Sequence, residues 1–499
     1  MTRLVRAGAV LALLLSVLTV REVGASPSGC NTRAHVAGGD WPMMGGNLGQ
    51  TNYQTAEHVI SRANAGSLKL RWTSAAPVNP GQGTPVVAGN CVFVTGLGVV
   101  YALDAASGKL VWRSGPGPVP FGGDGFVTYP PQGVSVFDGR VHMGVDNNNK
   151  PVSMAFDART GERLWTSKPL TFGYKATQLS VPKVLDGIQL FFTTGPDFDP
   201  HGRPGFALLD EKSGRVLSKR TTLTPQMLAQ GYAGGGVWAT AAIDPVGKYA
   251  YVGTSNPYTK TKESPYDNAM IKIDLNRRRS SFGQIVAAAK GTPDAPTNAV
   301  YNQPECQTLG PAMPVGLVAV SLVCGQDDAD FGIGPTVFRN RHGRLMLAGM
   351  QKNGHLHILD ATTMAQEYDL LLGPNAYTSV FAGNLSMPAW DGRYLYVAGV
   401  PGTLYAIDPD DGSIVWAAPG QDGPAPGRPV VGGNGVVWTI NGANMVVAHD
   451  TSTGLPIGLP LRPSQDTGQT CSPGANGGMA FAHHTLFINC GGYLAAYGL

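Results

Sequence analysis

The residues Gly234 to Trp238 read "GGGVW", three glycines that lead into the largest side chain. Glycine runs let a backbone turn tightly or approach a ligand closely. A tryptophan held beside such a run presents a flat aromatic face on which a planar ligand can stack. The pattern therefore predicts a ligand on the face of Trp238, with Gly235 and Gly236 close to it. The alternative is a tryptophan that plugs the floor of the fold.

Other chemical motifs are scarce along the chain. The sequence contains no GxSxG, no Walker loop and no HExxH, and so lacks the usual marks of a serine hydrolase, a nucleotidase or a zinc protease. It has no CxxC or CxxCH, which argues against zinc knuckles and covalently attached haem. His355 and His357 alternate along one strand face. They could bind a metal, but a packed or solvated pair is the favoured interpretation.

The elements that must position such residues are indicated by composition. Among 499 residues there are 68 glycines and 38 prolines, and only 14% are charged. This favours many turns and short strands over helices. The net charge of +3 comes from 36 basic and 33 acidic residues, so nothing suggests a nucleic-acid partner.

A repeat organises the chain. Each unit is an apolar strand, a turn of the type Asp-x-x-(Ser/Thr/Asp)-Gly, and a second strand that closes on an aromatic residue, as in "VVYALDAASGKLVW". The Asp can hydrogen-bond its own backbone and the Gly can adopt positive φ, as a tight hairpin requires. Seven units are marked by Asp104, Asp157, Asp210, Asp274, Asp360, Asp408 and Asp450.

An eighth unit, "GGYLAAYGL", reaches Leu499 without its closing strand, whereas "LKLRW" at Leu68 to Trp72 is a strand without a unit. Pairing the two would close a ring and remove a free sheet edge. We therefore predict an all-β, eight-bladed β-propeller closed by its N-terminal strand. No long segment of helical period lies between the strands, which argues against an α/β fold.

These repeats resemble the tryptophan-docking repeat of the pyrroloquinoline quinone (PQQ) dependent alcohol dehydrogenases. "DWPMMGGNLGQTNYQ" resembles the opening of those enzymes, and "CGQDDADFGIGPTVF" followed by "AGMQKNGHLHILD" is most similar to the polyvinyl-alcohol-dehydrogenase-like branch. The resemblance covers nearly all of the chain after its leader. It implies a propeller that carries PQQ and Ca²⁺ on its axis and oxidises an alcohol.

The resemblance also implies a calcium site with three oxygen ligands, a donor set that suits Ca²⁺. Asn256 of "GTSNPY" and Asp330 of "DADFGIGP" match two ligands. Asp199 of "GPDFDPHG" stands where the family has a glutamate, and Asp197 is the alternative. The competing interpretation of each acidic residue is a solvated turn.

The same resemblance gives catalytic roles to three side chains. Trp238 would lie under the quinone, and Asp330 would be the base that takes the alcohol proton. Lys352 of "QKNGHLHILD" matches the cationic residue that approaches both the quinone oxygens and the aspartate. The alternative for Lys352 is a turn lysine beside Asn353-Gly354, itself a strong hairpin signal.

One feature departs from the family. Its typical enzymes carry two adjacent cysteines whose disulfide covers the other face of the cofactor. The corresponding segment, "GPGPVPFGGDGFVTYPPQG", has none. Phe121, Phe126 or the glycine backbone would have to cover that face instead.

The N-terminus reads as a targeting segment. Residues 1–25 have the basic start, apolar run and small-residue cleavage site of a signal peptide. Residues 26–67 are then an N-terminal extension and residues 68–499 the propeller. A lipid anchor at Cys30 is the alternative to simple export. No later segment resembles a membrane span.

Six cysteines are consistent with disulfides in an oxidising compartment. Sequence proximity suggests Cys306–Cys324 and Cys471–Cys490, which leaves Cys30–Cys91.

The leading hypothesis is an exported PQQ- and Ca²⁺-dependent alcohol dehydrogenase, with secondary and polymeric alcohols among the candidate substrates. Its electrons would leave through a separate acceptor, since the chain has no haem motif. The alternatives are a cofactor-free propeller that acts as a cell-envelope scaffold, and an extracellular binding module.

Overall fold

The computed structural model describes residues 29–74, 83–96, 98–116, 133–146, 149–173, 175–195, 201–259, 262–292, 329–372, 386–399, 402–419, 428–472 and 478–499. In this part of the chain the strands form eight four-stranded sheets, arranged as the blades of a propeller. Helix is confined to short pieces. The predicted eight-bladed all-β architecture is confirmed.

Strands β1 (Tyr53–Gln54) and β2 (Lys69–Thr73) join the last two blades, and the other strands follow blade by blade. Blades 1 to 3 contain β3 to β14: Val86–Ala88, Cys91–Thr95, Val100–Asp104 and Leu110–Ser114; Ser135–Phe137, Arg140–Val145, Val152–Asp157 and Arg163–Thr166; Lys183–Leu185, Ile188–Thr193, Gly205–Asp210 and Val216–Thr221. Blades 4 to 6 contain β15 to β26: Ala242–Asp244, Tyr249–Gly253, Ala269–Asp274 and Ile285–Lys290; Thr336–Arg339, Leu345–Met350, His355–Asp360 and Gln366–Leu371; Ala389–Trp390, Leu395–Gly399, Thr403–Ile407 and Ile414–Ala418. Blades 7 and 8 contain β27 to β32: Val430–Gly432, Val436–Ile440 and Val446–Asp450; Met479–Ala482, Thr485–Asn489 and Leu494–Gly498. The helices of the described residues are a 3₁₀ turn and two short α-helices, Ala65–Ser67, α1 (Pro225–Ala229) and α2 (Pro463–Thr467).

The ring closes as the sequence predicts. Strand β2 pairs antiparallel with β32, with Lys69 opposite Gly498 and Leu70 opposite Tyr497. The first strands of neighbouring blades contact one another around the ring. These inner strands are mostly buried, whereas the fourth strands are partly exposed.

Neighbouring blades are joined by aromatic residues on the outer strands. Trp112 of blade 1 donates its indole N–H to the carbonyl of Ala158 in blade 2, at 3.0 Å. Its ring lies against Gly161, where a Cβ atom would be 2.7 Å from the ring and where φ is +76°. The repeat glycine is thus required both by its backbone conformation and by the ring that covers it. The same indole-to-carbonyl contact is made by Trp72, Trp165 and Trp416.

Residues 41–54 of the N-terminal extension run around the inside of the ring. Their backbone carbonyls accept hydrogen bonds from the inner strands of successive blades, and these satisfy donors that would otherwise face the channel. The pairs are Trp41 with Val87, Pro42 with Val136, Leu48 with Ile243, Gly49 with Val337, Thr51 with Trp390 and Asn52 with Val431. In blade 3 the Lys183 ammonium reaches the carbonyl of Asn47 at 3.1 Å, and in blade 8 Gln54 donates to Phe481.

Blade 7 departs from the repeat pattern. Its second predicted hairpin strand, "TGLPI", forms only one isolated bridge among the described residues, His449 with Pro456. Proline has no N–H to donate to a ladder, which prevents regular pairing there. The fourth strand of this sheet is instead β1, which pairs parallel with β27 on the inner side.

Two of the predicted disulfides are confirmed, Cys30–Cys91 and Cys471–Cys490. The predicted pair Cys306–Cys324 lies outside the described residues, as do Phe121 and Phe126. Within the described ranges no helix is long and apolar enough to cross a membrane.

Candidate functional site

Trp238 lies on an apolar floor inside the ring rather than between two blades. It precedes β15 of blade 4 and packs against Met44, Val181, Ile333 and Met387. Met44 belongs to the N-terminal segment inside the ring, and the other three precede the inner strands of blades 3, 5 and 6. We call these four residues the axial floor. Because Trp238 is only partly buried, it both packs on this floor and retains an accessible part.

The glycine run holds the Trp238 segment against the turn that contains Asn256. Gly234 and Gly235 have φ of +116° and +65°, conformations that side chains rarely adopt. The Gly235 N–H donates to the Asn256 carbonyl at 3.4 Å, and the Gly236 N–H donates to the Ser255 hydroxyl at 2.8 Å. These two N–H groups are therefore used within the protein. The glycines fix the position of Trp238, and their predicted contact with a cofactor stays a prediction.

Asp330, Lys352 and Trp238 come together as predicted. The Lys352 ammonium lies 2.7 Å from Asp330 Oδ1, and the Trp238 indole N–H donates to Asp330 Oδ2 at 3.0 Å. The ammonium is also 4.8 Å from the centre of the Trp238 ring, within the range of a cation–π contact. Both charged side chains are about 5% exposed. A planar ligand stacked on this ring would therefore meet a buried ion pair.

Backbone contacts set this geometry. The Lys352 N–H donates to the Asp330 carbonyl at 3.1 Å, and the Phe331 N–H donates to the Thr254 carbonyl at 3.2 Å. Lys352 lies in the turn between β20 and β21, so it is a hairpin-turn residue that also contacts Asp330, and its role toward a quinone stays a prediction. The Phe331–Thr254 bond brings the loop of Asp330 beside the segment that leads to Asn256. We call Trp238, Asn256, Asp330 and Lys352 the axial site.

One supporting residue, Gln351, was not identified from the sequence. Gln351 donates to the Ala329 carbonyl at 2.5 Å, and its Oε1 is 2.5 Å from His357 Nε2. Burial lowers the pKa of His357, which favours a neutral ring. His355 contacts Asp369 at 2.7 Å, so the interpretation of these histidines as a packed pair agrees with the structure. Only the position of Gln351 directly before Lys352 hints at its supporting role.

The oxygen donors fit a hard cation such as Ca²⁺. Asn256 is about 9% exposed and Asp330 about 4%, and they supply an amide oxygen and a carboxylate. A carboxylate offers about four lone-pair sites, so Asp330 can keep its contacts to Lys352 and Trp238 while it binds a cation. Asp199 and Asp197 lie outside the described residues. In the described ranges no three His, Cys, Asp or Glu side chains form a metal-binding group.

Asp267 is a further buried acid beside the glycine run. Its Oδ2 accepts the Ser264 N–H at 2.6 Å, and its Oδ1 would be 3.1 Å from a Cβ atom at Gly235. Burial raises its pKa to about 7. No motif in the sequence signals this acid.

Comparison with known proteins identifies similar chains. A family model described as "Outer membrane protein assembly factor BamB" matches residues 56–301 and 375–457. The chain is 28% identical over 241 residues to quinohemoprotein alcohol dehydrogenase ADH-IIG of Pseudomonas putida, covering 44% of this chain and 33% of that protein. It is 26% identical over 420 residues to a polyvinylalcohol dehydrogenase of a Pseudomonas species, covering 76% and 59% respectively. The chain thus spans between a third and three-fifths of the length of these two relatives.

The fold likeness extends further. The crystal structure of quinohemoprotein alcohol dehydrogenase from Comamonas testosteroni superposes with a TM-score of 0.68 at 16% identity. The match covers 92% of this chain and 80% of that one. At this identity the likeness concerns the fold. With the named relatives, it confirms the resemblance that the repeats indicate.

Proposed function

The chain belongs to the propeller family described as "Outer membrane protein assembly factor BamB", and we propose that it is an exported PQQ-dependent dehydrogenase that oxidises an alcohol with the help of Ca²⁺. The observation that carries this proposal is the buried Asp330–Lys352 ion pair beside the Trp238 ring. The names of the relatives as quinohemoprotein and polyvinylalcohol dehydrogenases support it.

The buried ion pair favours an enzyme over a scaffold. Removing two charges from water costs several kcal/mol per ion, and a well-packed apolar pair is often at least as stable. A scaffold gains nothing from this arrangement, whereas proton transfer requires a positioned carboxylate. Lys352 compensates the charge of Asp330 and leaves it able to accept a proton.

Each side chain of the axial site then has a task. Trp238 offers the stacking face, and its N–H fixes the orientation of the Asp330 carboxylate. Asp330 accepts the proton of the substrate hydroxyl, and Lys352 stabilises negative charge beside the ring. Asn256 and Asp330 would hold Ca²⁺, with Asp199 as the proposed third ligand. When bound, PQQ supplies the hydride acceptor and Ca²⁺ a Lewis acid.

Export is part of the proposal. Two buried disulfides, Cys30–Cys91 and Cys471–Cys490, support folding in an oxidising compartment. The electrons of the reduced cofactor would pass to a separate acceptor.

The test is reconstitution of the purified protein with PQQ and Ca²⁺. We expect a cofactor absorbance that saturates only when Ca²⁺ is present, and dye-linked oxidation of alcohols. A panel of primary, secondary and oligomeric vinyl alcohols would identify the substrate class. Protein that binds no PQQ at any Ca²⁺ concentration would favour the scaffold function, which the description of the family model also suggests.

A further inference from the structure

A buried arginine lies on the same level of the ring as the axial floor. Arg428 is two residues before the first strand of blade 7, β27. Val181 and Met387, which pack on Trp238, are also two residues before the first strands of their blades. Because the blades repeat around one axis, equivalent positions form a ring at one height.

Contacts around this ring support that placement. Arg428 Nη1 donates to the Thr84 hydroxyl at 2.7 Å, and Thr84 is the equivalent residue of blade 1. Val181 N–H donates to the Thr240 hydroxyl at 2.9 Å, and Thr240 is the equivalent residue of blade 4. Met387 belongs to blade 6, the blade next to that of Arg428.

The guanidinium group of Arg428 is incompletely satisfied. The residue is about 3% exposed, and neither Nε nor Nη2 has a hydrogen-bond partner among the described residues. No ion pair of Arg428 with an acid is found in the part of the chain that the structure describes. Burial lowers the pKa of Arg428 to about 10, so the group is charged at neutral pH.

A buried cation of this kind is costly unless an anion meets it. Nε and Nη2 form one edge of the planar guanidinium group, and two parallel N–H donors on one edge match a carboxylate in bidentate fashion. PQQ is a planar tricarboxylate. We propose that Arg428 binds a carboxylate of the quinone that stacks on Trp238. This inference rests on the proposed function and gives the blade 7 side of the site a role in binding.

The experiment compares PQQ binding by the full-length wild type with that of Arg428→Met, Arg428→Lys and the control Arg62→Met. Arg62 is an exposed arginine that pairs with Asp450. PQQ is titrated in saturating Ca²⁺, and quenching of tryptophan fluorescence is followed. Loss of a charge-assisted hydrogen-bonding partner predicts binding about 10- to 100-fold weaker for Arg428→Met. Arg428→Lys should recover part of the affinity, and Arg62→Met should match the wild type.

Thermal unfolding without PQQ supplies the second readout. If Arg428 serves binding, Arg428→Met should be at least as stable as the wild type, because an uncompensated buried charge has been removed. A structural arginine would instead lower the melting temperature together with the affinity, and that result would overturn the proposal. If Arg428→Met fails to fold, the structural role is shown directly and the proposal is wrong.

The remaining outcomes separate the two proposals. Equal PQQ affinities of the wild type and Arg428→Met overturn only the role of Arg428. If the PQQ affinities are equal but Arg428→Met raises the KM for an alcohol that bears a carboxylate, Arg428 binds the substrate rather than the cofactor. Wild-type protein that binds no PQQ overturns the proposed function as well.

Discussion

Tryptophans next to glycines occur in two regions of this molecule and serve different ends. On the outer strands, Trp112 lies over Gly161 and donates its N–H to a backbone carbonyl of the next blade. In the axial site, Trp238 follows a glycine run and donates its N–H to the carboxylate of Asp330. The outer tryptophans join structural elements, whereas Trp238 contacts both members of a buried ion pair. The partner of the indole N–H distinguishes the two.

Acids show the same division. The Ser213 hydroxyl lowers the pKa of Asp210, a turn aspartate of the repeat, whereas burial raises that of Asp267 beside the glycine run. Turn aspartates meet donors at the surface, where the charged form is favoured. The region near the axis removes an acid from water and favours the neutral form.

The largest effect is expected for Asp330→Asn. Loss of a general base should lower turnover about 10²- to 10⁴-fold, measured by dye-linked alcohol oxidation with PQQ and Ca²⁺. The melting temperature should also fall, because Lys352 keeps a buried charge without its partner. The turn variant Asp360→Asn should keep full turnover, and an equal loss in both variants would refute the assignment of the base.

The next prediction is that two tryptophan substitutions have opposite main effects, one on stability and the other on PQQ affinity. Trp112→Ala should lower the free energy of unfolding by about 3–5 kcal/mol and leave PQQ affinity unchanged. Trp238→Ala should weaken PQQ binding, since a stacked aromatic pair contributes about 0.5–1.5 kcal/mol beyond its buried area, with a smaller loss of stability. Urea unfolding and PQQ titration measure both quantities. Two variants with the same profile would remove the distinction between the regions.

The pH dependence of the free energy of unfolding should reveal the titration of Asp267. Between its unfolded pKa of about 3.9 and its folded pKa of about 7, the folded state holds a proton that the unfolded state has lost. Stability should therefore fall as the pH rises through this window, by about 4 kcal/mol at most. Asp267→Asn should abolish this fall and be more stable than the wild type at pH 8.

Asp210→Asn is the matched control for that measurement. Because the folded pKa of Asp210 is lowered, its contribution is present above the unfolded pKa and is lost as the pH falls through the folded pKa. Its substitution should leave the window between about pH 4 and 7 unchanged. Urea unfolding midpoints measured across this pH range test both variants. A fall of stability with pH that persists in Asp267→Asn would refute the assignment to Asp267.

The smallest expected effect is a difference in stability between two glycine substitutions, which separates the cost of backbone strain from the cost of a clash with the Trp112 ring. Gly161→Ala and Gly139→Ala both place a side chain at positive φ, +76° and +75°, which costs roughly 1–2 kcal/mol. Only at Gly161 would the new Cβ atom also meet the Trp112 ring, since nothing lies within 4 Å at Gly139. Gly161→Ala should therefore be the less stable variant in urea. Equal midpoints would mean that the ring does not require a glycine.

The sequence by itself determined the blades, and its resemblance to a known family pointed to the residues of the axial site. The repeat turns with their Asp and Gly, the strand that closes the ring, and the motifs around Trp238, Asp330 and Lys352 are local signals. They can be read because hairpins and their turns depend on neighbouring residues. Two disulfides also followed from sequence proximity and elimination.

Only the tertiary structure decided what depends on distant contacts. Residues 41–54 read as an extension but lie inside the ring, because their carbonyls accept hydrogen bonds from the inner strands of six different blades. The Asp330–Lys352 distance, the burial of Asp267 and the unpaired donors of Arg428 likewise arise where remote segments meet. Charge and hydrogen-bond satisfaction depend on three-dimensional surroundings, and a pattern of neighbours along the chain does not specify them.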